Sequence, residues 1–327
     1  MSIIAHPDLK KVTTRMVGAA AGVSHVTVSR VLNNDPRVHP ATRARVIETA
    51  REMGYPLAPA DGRLTIALII FETNLSGYLS SLLTFLLKEI SLHGHRVELI
   101  STRDLELLNS RAIAGAISVS INDRLNEFWG EFSNFPLVRL NRPSCHRENI
   151  YSVSSDGIAG MELAVDYLFR QGHRKIGFIS DVHHADEMVY TSHRYEGFCE
   201  ALRRRGVAEP EAFSFFRDQS RFPDLHHWVD CGVTALITAG ETNGLSVAQQ
   251  LNTLHIKVPE ELSVLSMEFP GISERLIPSH TTLSQDFRGL AREAISLLDR
   301  LIDRKPVSGD VRVPYLLIER ESVKTLV

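Results

Sequence analysis

From Leu64 onward, apolar runs alternate with longer amphipathic stretches. The first run, Leu64 to Phe71, predicts a strand, and further strands are predicted to begin near Arg96, Ala114, Leu137, Lys175, Ala212, Val233, Leu262 and Val313. Segments of helical spacing lie between most of them, over 78–92, 157–171, 192–205 and 242–254. This alternation predicts an α/β fold of doubly wound parallel sheets, and about nine strands favour two sheets, hence two lobes.

Ahead of Leu64 the pattern changes to short helices. A helix is predicted over 13–20, followed by a tight turn at Ala21-Gly22-Val23. Ser24 is the predicted N-cap of a second helix, because its hydroxyl can accept an otherwise unpaired backbone N–H. A third helix is predicted over 40–53, with proline at its first position and Gly54 just beyond its end.

The second predicted helix has two different faces. Val28, Val31 and Leu32 fall on one face, and polar or exposed positions fall roughly opposite, namely His25, Val26, Ser29 and Arg30. A short helix, a glycine-containing turn and a second helix form a helix-turn-helix, whose second helix enters the major groove of DNA. The sequence therefore predicts an all-α helix-turn-helix headpiece before the α/β core.

The composition fits this organisation. Of the 327 residues, 43% are hydrophobic and 23% are charged, so the chain is not expected to be largely disordered. Its length predicts two or three domains. We find neither a run of 18 apolar residues nor a signal-peptide pattern at the start. The three cysteines (Cys145, Cys199 and Cys231) lie far apart, which favours a reducing cytoplasm over a disulfide framework.

The net charge of −3 hides an asymmetry. Residues 1–56 carry eight Lys and Arg against four Asp and Glu, a charge of +4, so the remainder carries −7. A basic segment on an acidic body is expected when one end of a protein meets a polyanion, although chance alone also produces a charge of this size.

The individual residues of the headpiece are more specific evidence of its function than its helical pattern is. The strings Ala21-Gly22-Val23-Ser24, Thr27 to Asn33, Thr42-Arg43 and Gly54-Tyr55 resemble the headpiece of the lac-repressor/gal-repressor family of bacterial transcription regulators. The resemblance implies that Ser24, Thr27 and Ser29 contact phosphates or cap the helix. It also implies that the base edges are read by His25, Val26 and Arg30, and it adds Asn33 to the DNA-binding set.

The chemistry of these side chains differs. Arg30 can make a two-pronged contact to guanine, whereas Val26 offers only apolar contact, for instance to a thymine methyl group. A solvated surface histidine is the alternative for His25, and a partly buried helix residue is the alternative for Val26.

The family's headpiece is followed by a hinge that wedges a leucine into the minor groove. Here the segment between Tyr55 and the first core strand is shorter than is usual in that family. Leu57 or Leu64 is the candidate wedge, but Pro59 and Gly62 disfavour a stable hinge helix, so a plain linker is the alternative. We expect a headpiece over 1–57, a linker over 58–65 and an effector-binding core over 66–327. The expected lobes are 66–155 with 288–313, and 156–287 with 314–327.

The core also resembles the family, whose core is like a periplasmic sugar-binding protein. The matching strings include Asp156-Gly157-x-x-Gly160, Arg194-x-x-Gly197-Phe198 and Pro278-x-x-Thr281-Thr282-Leu283 through Arg288, the last being especially like the lac repressor. Ligands of open parallel sheets sit beyond the carboxyl ends of the strands, which places an effector between the lobes. By family position the candidate effector-binding residues are Glu72, Asn74, Tyr78, Asn141, Arg142, Arg194, Glu241, Glu268 and Phe287.

Three features qualify this effector site. The sequence has Gly240-Glu241 where the family usually has Asn-Asp, Glu268 where the family usually has Asp, and Gln219 near the position of a sugar-stacking Trp. A salt-bridged surface arginine is the alternative for Arg194, and a core position is the alternative for Phe287. The effector expected from the resemblance is a small sugar.

Motifs of catalysis are not found, because the chain has no P-loop, GxGxxG, HExxH or nucleophile elbow. We therefore expect no enzyme activity and no cofactor. The two histidines of each adjacent pair, His183-His184 and His226-His227, do not lie on one helix face and are interpreted as loop or surface residues. His95 and His173 occur in two Gly-His-Arg strings that open strands, and they are interpreted as structural residues. No metal is therefore expected.

The resemblance therefore predicts a cytoplasmic regulator of sugar-utilisation genes. We expect a repressor that binds a near-palindromic double-stranded operator as a homodimer, since no tetramer-forming heptad segment follows the last strand. The alternative is a sugar-binding receptor without a DNA role.

Overall fold

The structure is a computed structural model. It describes residues 12–32, 35, 37–53, 55, 63–70, 77–105, 107–110, 113–119, 125, 129, 135–142, 149–181, 189–217, 221–307 and 309–326. Every structural statement below concerns these residues.

Three helices form the amino-terminal part: α1 (Thr14–Ala21), α2 (His25–Leu32) and α3 (Pro40–Glu52). They share a small core of buried aliphatic side chains, among them Val17, Val28, Val31 and Val46. Val28 and Val31 are the positions that the helical spacing of α2 predicts to face inward, so the amphipathic pattern is sufficient to orient this helix.

The rest of the described chain forms two sheets. In the first sheet the strand order is β11-β5-β4-β3-β1-β2, and in the second it is β12-β10-β9-β8-β6-β7, six strands each within the described residues. All neighbouring strands are parallel except β10 and β12. We call the units built on these sheets the first lobe and the second lobe.

The first lobe is built mainly from residues 65–155, and two later elements complete it. Its elements are β1 (Thr65–Ile70), α4 (Gly77–Leu92), β2 (Arg96–Ser101), α5 (Leu107–Ser110), β3 (Ile113–Ser118), β4 (Leu137–Leu140), β5 (Ile150–Ser155), and later α10 (Phe287–Ile302) and β11 (Val311–Val313). Helices α4 and α10 pack together on one face of the sheet, through buried residues such as Leu86, Ile90 and Leu298. A separate cluster that includes Ile69, Leu108 and Trp129 covers the other face.

The second lobe repeats this arrangement. Its elements are α6 (Gly157–Arg170), β6 (Ile176–Asp181), α7 (Val189–Arg204), β7 (Ser214–Arg217), α8 (Leu225–Asp230), β8 (Ala235–Ala239), α9 (Glu241–Thr253), β9 (Ser263–Met267), β10 (Thr281–Gln285) and β12 (Tyr315–Ile318). Helices α6 and α7 cover one face through residues such as Leu168 and Phe198. A second cluster that includes Trp228 and Leu251 covers the other. Each sheet is therefore buried on both sides, which explains the apolar runs of its central strands.

The chain passes between the lobes at three points: from β5 into α6, from β10 into α10, and from β11 into β12. Two of these crossings are fixed by helix caps. Asp156 accepts the backbone N–H of Ala159 (3.0 Å), and Asp286 accepts that of Gly289 (2.8 Å), so each helix begins at a defined residue just after its strand.

The predicted fold class, a helix-turn-helix headpiece with two doubly wound lobes, is confirmed. The strand starts were less complete. The pattern gave no strand at 150–155 or 281–285 and one strand near Val313 where the structure has β11 and β12. Strands β5 and β10 are rich in Ser and Thr and their apolar runs are broken, so periodicity alone does not reveal them.

Candidate nucleic-acid interface and inter-lobe site

The second helix of the headpiece presents one apolar face to the core and one face to solvent. Val28 and Val31 are buried, whereas Val26, Ser29 and Arg30 are exposed. Val26 is thus a large apolar side chain held in water on the face that carries the arginine. Its interpretation as a partly buried helix residue is wrong, and a partner surface is the environment in which such a side chain gains contacts.

A hydrogen-bonded cap fixes the start of this helix. The backbone N–H of Thr27 donates to Ser24 Oγ (3.1 Å), and the hydroxyls of Ser24 and Thr27 are 2.9 Å apart. The predicted capping role of Ser24 is confirmed. His25 follows it on the exposed first turn, where the helix dipole and the backbone N–H groups favour an anion such as phosphate.

The turn between α1 and α2 depends on two glycines. Gly22 has φ of +65°, the left-handed conformation that ends α1, as predicted for the tight turn. Gly18 lies against the turn, since a Cβ there would be 2.8 Å from the carbonyl oxygen of Val23. These contacts set the angle between the two helices, and so the direction in which α2 projects.

The electrostatics of this surface have one sign. Residues 12–32 contain Arg15, Arg30 and His25 but no Asp or Glu. The acidic residue that follows, Asp35, is paired with Arg37 (Nη2 to Oδ2, 2.7 Å), and the hydrogen bonds from Arg37 hold the pKa of this carboxyl well below its usual range. The α2 face therefore has cationic charge without a nearby uncompensated carboxylate, which suits a polyanion.

Several sequence candidates cannot be placed. Asn33, Leu57, Glu72 and Asn74 lie outside the described residues, and for Glu241 only the backbone, at the first position of α9, is described. Leu64 precedes β1, and its carbonyl oxygen accepts the backbone N–H of Arg96 (2.7 Å), which ties it to the first lobe. The wedge role of Leu64 and Leu57 stays a prediction.

A polar network joins the two lobes where the chain crosses between them. Asn141, just after β4, donates through Nδ2 to Tyr78 Oη (2.8 Å) and to Gln285 Oε1 (2.6 Å). Ser155 completes the network, because its N–H donates to Asn141 Oδ1 (2.8 Å) and its hydroxyl to Gln285 Oε1 (2.9 Å). Gln285 ends β10 of the second lobe, so this network connects the ends of strands from both sheets.

Two sequence candidates meet in this network. The rings of Tyr78 and Phe287 pack at a centroid distance of 5.9 Å, and Phe287 is buried in the core of the first lobe. Phe287 is therefore a core residue that packs against the ring of Tyr78, as the alternative interpretation of Phe287 expects. The side chain of Arg142 is buried one residue beyond Asn141, and its backbone carbonyl accepts the hydroxyls of Ser152 and Ser154.

Arg194 lies in the second lobe, on α7. Its Nη2 donates to the hydroxyl of Tyr315 (3.2 Å), and it passes beside the first turn of α6, where a Cβ on Gly157 would be 3.7 Å from its Cγ. Arg194 is thus half-buried near the crossings into α6 and β12, and it makes no salt bridge with any residue that the structure describes.

Glu268 is held differently from what a ligand-binding carboxylate would require. Arg320 donates to both carboxylate oxygens, with distances of 2.9 Å and 3.2 Å, and the hydroxyl of Thr282 donates to the same group. Next to this pair, burial and the charge of Arg320 lower the pKa of His280 to about 4. The carboxylate of Glu268 is therefore committed to a buried ion pair within the second lobe.

A further polar cluster was not predicted. Arg217, at the end of β7, donates to Asn243 Oδ1 (2.6 Å) and its guanidinium lies 4.3 Å from the ring centroid of Phe222. Asn243 in turn donates to the carbonyl of Ala239 (2.6 Å) at the end of β8. The signal that would have found this cluster is position, since both strands end at the sheet edge where ligands bind.

Comparison with known proteins agrees with this geometry. A family model described as bacterial regulatory proteins, lacI family, matches residues 16–56, and a periplasmic binding protein-like domain matches residues 165–323. Among curated proteins, the transcriptional repressor CytR of Escherichia coli is 27% identical over 96% of this chain and 97% of its own. The ribose operon repressor of Bacillus subtilis is 26% identical, over 95% of this chain and 98% of its own.

Solved structures show the same similarity. A complex of the transcriptional regulator CelR with cellobiose matches with a TM-score of 0.66 at 27% identity, over 95% of this chain and 99% of that one. A lac repressor dimer bound to operator and an anti-inducer matches with a TM-score of 0.65 at 22% identity, over 96% and 100%. Both matches cover the headpiece and the two lobes together.

Proposed function

This chain belongs to the lacI family of bacterial regulatory proteins, and from that premise we propose a dimeric repressor whose operator affinity is set by a sugar-like molecule bound between the lobes. It is a DNA-binding transcriptional regulator with a helix-turn-helix headpiece. We infer that it acts by binding rather than by catalysis. The described helices include none long and apolar enough to cross a bilayer.

The exposed face of α2 is the observation that carries the proposal. Val26, Ser29 and Arg30 are displayed together on a helix whose other face is fixed by the headpiece core. A helix of this kind fits the major groove, where Arg30 would reach guanine O6 and N7 and Val26 a thymine methyl group. We assign Ser24, His25, Thr27 and Asn33 to the phosphate-facing or base-facing surroundings of that contact.

Substitution of Arg30 tests this assignment. Wild-type protein is used to enrich its site from a library of random duplex DNA, and binding to that site is measured at fixed salt. Arg30→Ala is expected to weaken binding about 10–100-fold while changing affinity for unrelated DNA much less, because a two-pronged base contact is worth about 1–3 kcal/mol.

Arg292→Ala is the matched control, since it removes one exposed arginine from the core helix α10 instead of the headpiece. It should leave the affinity unchanged. Equal affinity of the wild type for the selected site and for random DNA would contradict sequence-specific recognition and favour a ligand receptor without a DNA role.

The effector proposal starts from the inter-lobe residues. Tyr78 and Asn141 from the first lobe and Gln285 from the second are already joined by hydrogen bonds, and Arg194 lies near two of the crossings. Hydroxyl, amide and guanidinium groups are what paired sugar hydroxyls require. Relatives fit this chemistry, because CelR has been solved with cellobiose. A ligand that favours one arrangement of the lobes would shift the headpieces and hence operator affinity.

A melting screen against sugars and sugar phosphates identifies the effector. A true ligand at 100 times its dissociation constant is expected to add about 2.7 kcal/mol to the free energy of unfolding. We expect Arg194→Gln to abolish this gain, and Arg203→Gln, a more exposed arginine on the same helix, to retain it. If no sugar stabilises the protein while Arg30→Ala still weakens DNA binding, the proposal of a sugar effector is wrong and the proposal of a DNA-binding regulator is retained.

A further inference from the structure

Two histidines and an aspartate from distant parts of the chain meet on the first lobe. His93 Nδ1 lies 2.6 Å from Asp299 Oδ2, and His95 Nε2 lies 2.7 Å from Asp299 Oδ1. The two ring nitrogens and the carboxylate oxygen lie within 4.8 Å of one another. Among the described residues, this is the group of three His, Cys, Asp or Glu side chains whose potential metal-ligand atoms lie this close together. The aspartate follows the histidines by about 200 residues, so the spacing along the chain gives no hint of the cluster.

The fold positions each ligand on a rigid element. Helix α4 ends at Leu92, and the following turn is closed by backbone hydrogen bonds from His93 to Glu89 (3.0 Å) and from His95 to Ile90 (3.0 Å). Gly94, with φ of +74°, lets the chain reverse so that the two imidazoles on either side of it converge. Asp299 is in the last turns of α10, which packs on α4 through the same core.

The cluster differs from a histidine that merely stabilises the fold. His173, in the second Gly-His-Arg string, is fully buried, and its two ring nitrogens contact Thr234 Oγ1 (2.9 Å) and the carbonyl of Lys324 (3.0 Å). His173 therefore matches the structural interpretation made from the sequence. His95 instead shares a carboxylate with a second histidine at a partly exposed position, where an ion from solvent can reach it.

We propose that His93, His95 and Asp299 bind a divalent transition-metal ion of the zinc class. Two imidazole nitrogens and one carboxylate oxygen are a donor set that Zn²⁺, Ni²⁺ and Co²⁺ accept, and three protein ligands leave a position for water. With bonds of about 2.0–2.2 Å, each His–Asp separation must widen by somewhat less than about 1 Å, which partly exposed side chains can accommodate. This replaces two hydrogen bonds by three coordinate bonds.

This proposal replaces the expectation of no metal, which was drawn from the adjacent histidine pairs and from the interpretation of His95 as a structural residue. Those pairs do not form the site. His227 of the described pair contacts Cys231 Sγ at 3.5 Å through its Nε2, and the residues of that pair do not belong to the three-residue group. The pair 226–227 is thus a useful internal control, because it offers imidazoles at another surface of the full chain.

Metal titration of the full-length, untagged chain tests the proposal. Zn²⁺ is titrated in competition with a chromophoric chelator, and Co²⁺ is titrated while its visible absorption is recorded. We expect one tight equivalent per chain and intense Co²⁺ bands that indicate fewer than six ligands. His93→Gln, His95→Gln and Asp299→Asn should each weaken Zn²⁺ binding more than about 100-fold, since loss of residues that only orient a ligand already costs about 10–100-fold.

The double variant His226→Gln/His227→Gln should bind Zn²⁺ as the wild type does. Melting in excess chelator shows whether each variant is folded, and the two single histidine variants carry the test should Asp299→Asn not fold. Absence of a stoichiometric Zn²⁺ equivalent, or tight binding that survives the His93 and His95 changes, would show that Asp299 only accepts hydrogen bonds from the two histidines and would overturn the proposal.

Discussion

At the residue scale, Glu268 shows how far a local pattern determines a side chain. The residue follows β9 at the sheet edge, where the family's carboxylate is expected to meet an effector, yet its carboxylate is paired with Arg320. The partner is 52 residues away on the segment after β12, so nothing near Glu268 predicts it.

A double-mutant cycle measures this pair. Arg320→Met should lower the free energy of unfolding by about 3–5 kcal/mol, because it leaves a buried carboxylate without its counter-charge. Glu268→Gln should lower it by a similar amount for the reciprocal reason. The double variant should lose less than the sum of the two single losses, by a coupling energy of about 1–3 kcal/mol in denaturant unfolding.

The cycle also decides the role of Glu268 in ligand binding. If the pair is structural, the effect of the identified effector on the melting temperature should be retained in the double variant. Additive losses in the two single variants, with no coupling, would show that the ion pair does not form in solution and that Glu268 is available to a ligand.

Residues whose neighbours lie nearby along the chain could be assigned from the sequence. The capping role of Ser24 and the exposure of Arg30 depend on three- and four-residue spacing, and both are found as predicted. Tyr78 and Asn141 were chosen as effector-site candidates by family position, and that role stays a prediction. The contact that Asn141 makes with Gln285 could not be predicted. That contact joins positions 144 residues apart and depends on how the two lobes pack.

At the scale of elements, helical spacing predicts four of the long core helices and most strands, but it does not predict α10 (Phe287–Ile302) or the strand order. The pattern contains strand and helix periods, whereas order in the sheet depends on which crossing each helix takes. Strand β11 joins the first sheet and β12 the second although a single residue separates them, and no periodicity marks this change of sheet.

The same crossings concentrate the polar residues of the inter-lobe site. Ser155, Gln285 and Tyr315 are each the first or last residue of a strand at a crossing, and each takes part in a hydrogen bond that involves a site candidate. Any relative rotation of the lobes must change the backbone at these three points. Contacts made here therefore sense the arrangement of the lobes more directly than contacts within one lobe do.

At the scale of the whole molecule, the charge distribution bears on DNA binding and the exposed apolar surface bears on dimerisation. The net charge is +4 in the first 56 residues and −7 in the remainder, so we expect the core to repel DNA and leave contact to the headpieces. On the core, β2 is an edge strand of the first sheet, Val97 and Leu99 on it are exposed, and Leu92 at the end of α4 is exposed too. An edge strand with exposed aliphatic side chains is expected to be covered by a partner.

We expect this surface to be the contact between two copies. Leu99 is 55% exposed, and in a two-fold symmetric dimer a glutamate there would lose its hydration in both copies. Leu99→Glu should therefore raise the dimer dissociation constant by at least about 100-fold, measured by analytical ultracentrifugation across a dilution series. Because a monomer holds only one headpiece, affinity for the selected palindromic site should fall with it, while affinity for a single half-site should not change.

Leu316→Glu is the matched control, because Leu316 is 49% exposed on the edge strand β12 of the other lobe. It makes the same change of charge and size at similar exposure and should leave both the dimer and palindrome binding intact. Should Leu99→Glu sediment as a dimer at every concentration at which the wild type does, the β2 edge is not the dimer contact. A monomeric Leu316→Glu with a dimeric Leu99→Glu would instead move the contact to the second lobe. The helical circular-dichroism signal separates these cases from misfolding, since an unfolded core also loses the dimer but lowers this signal as well.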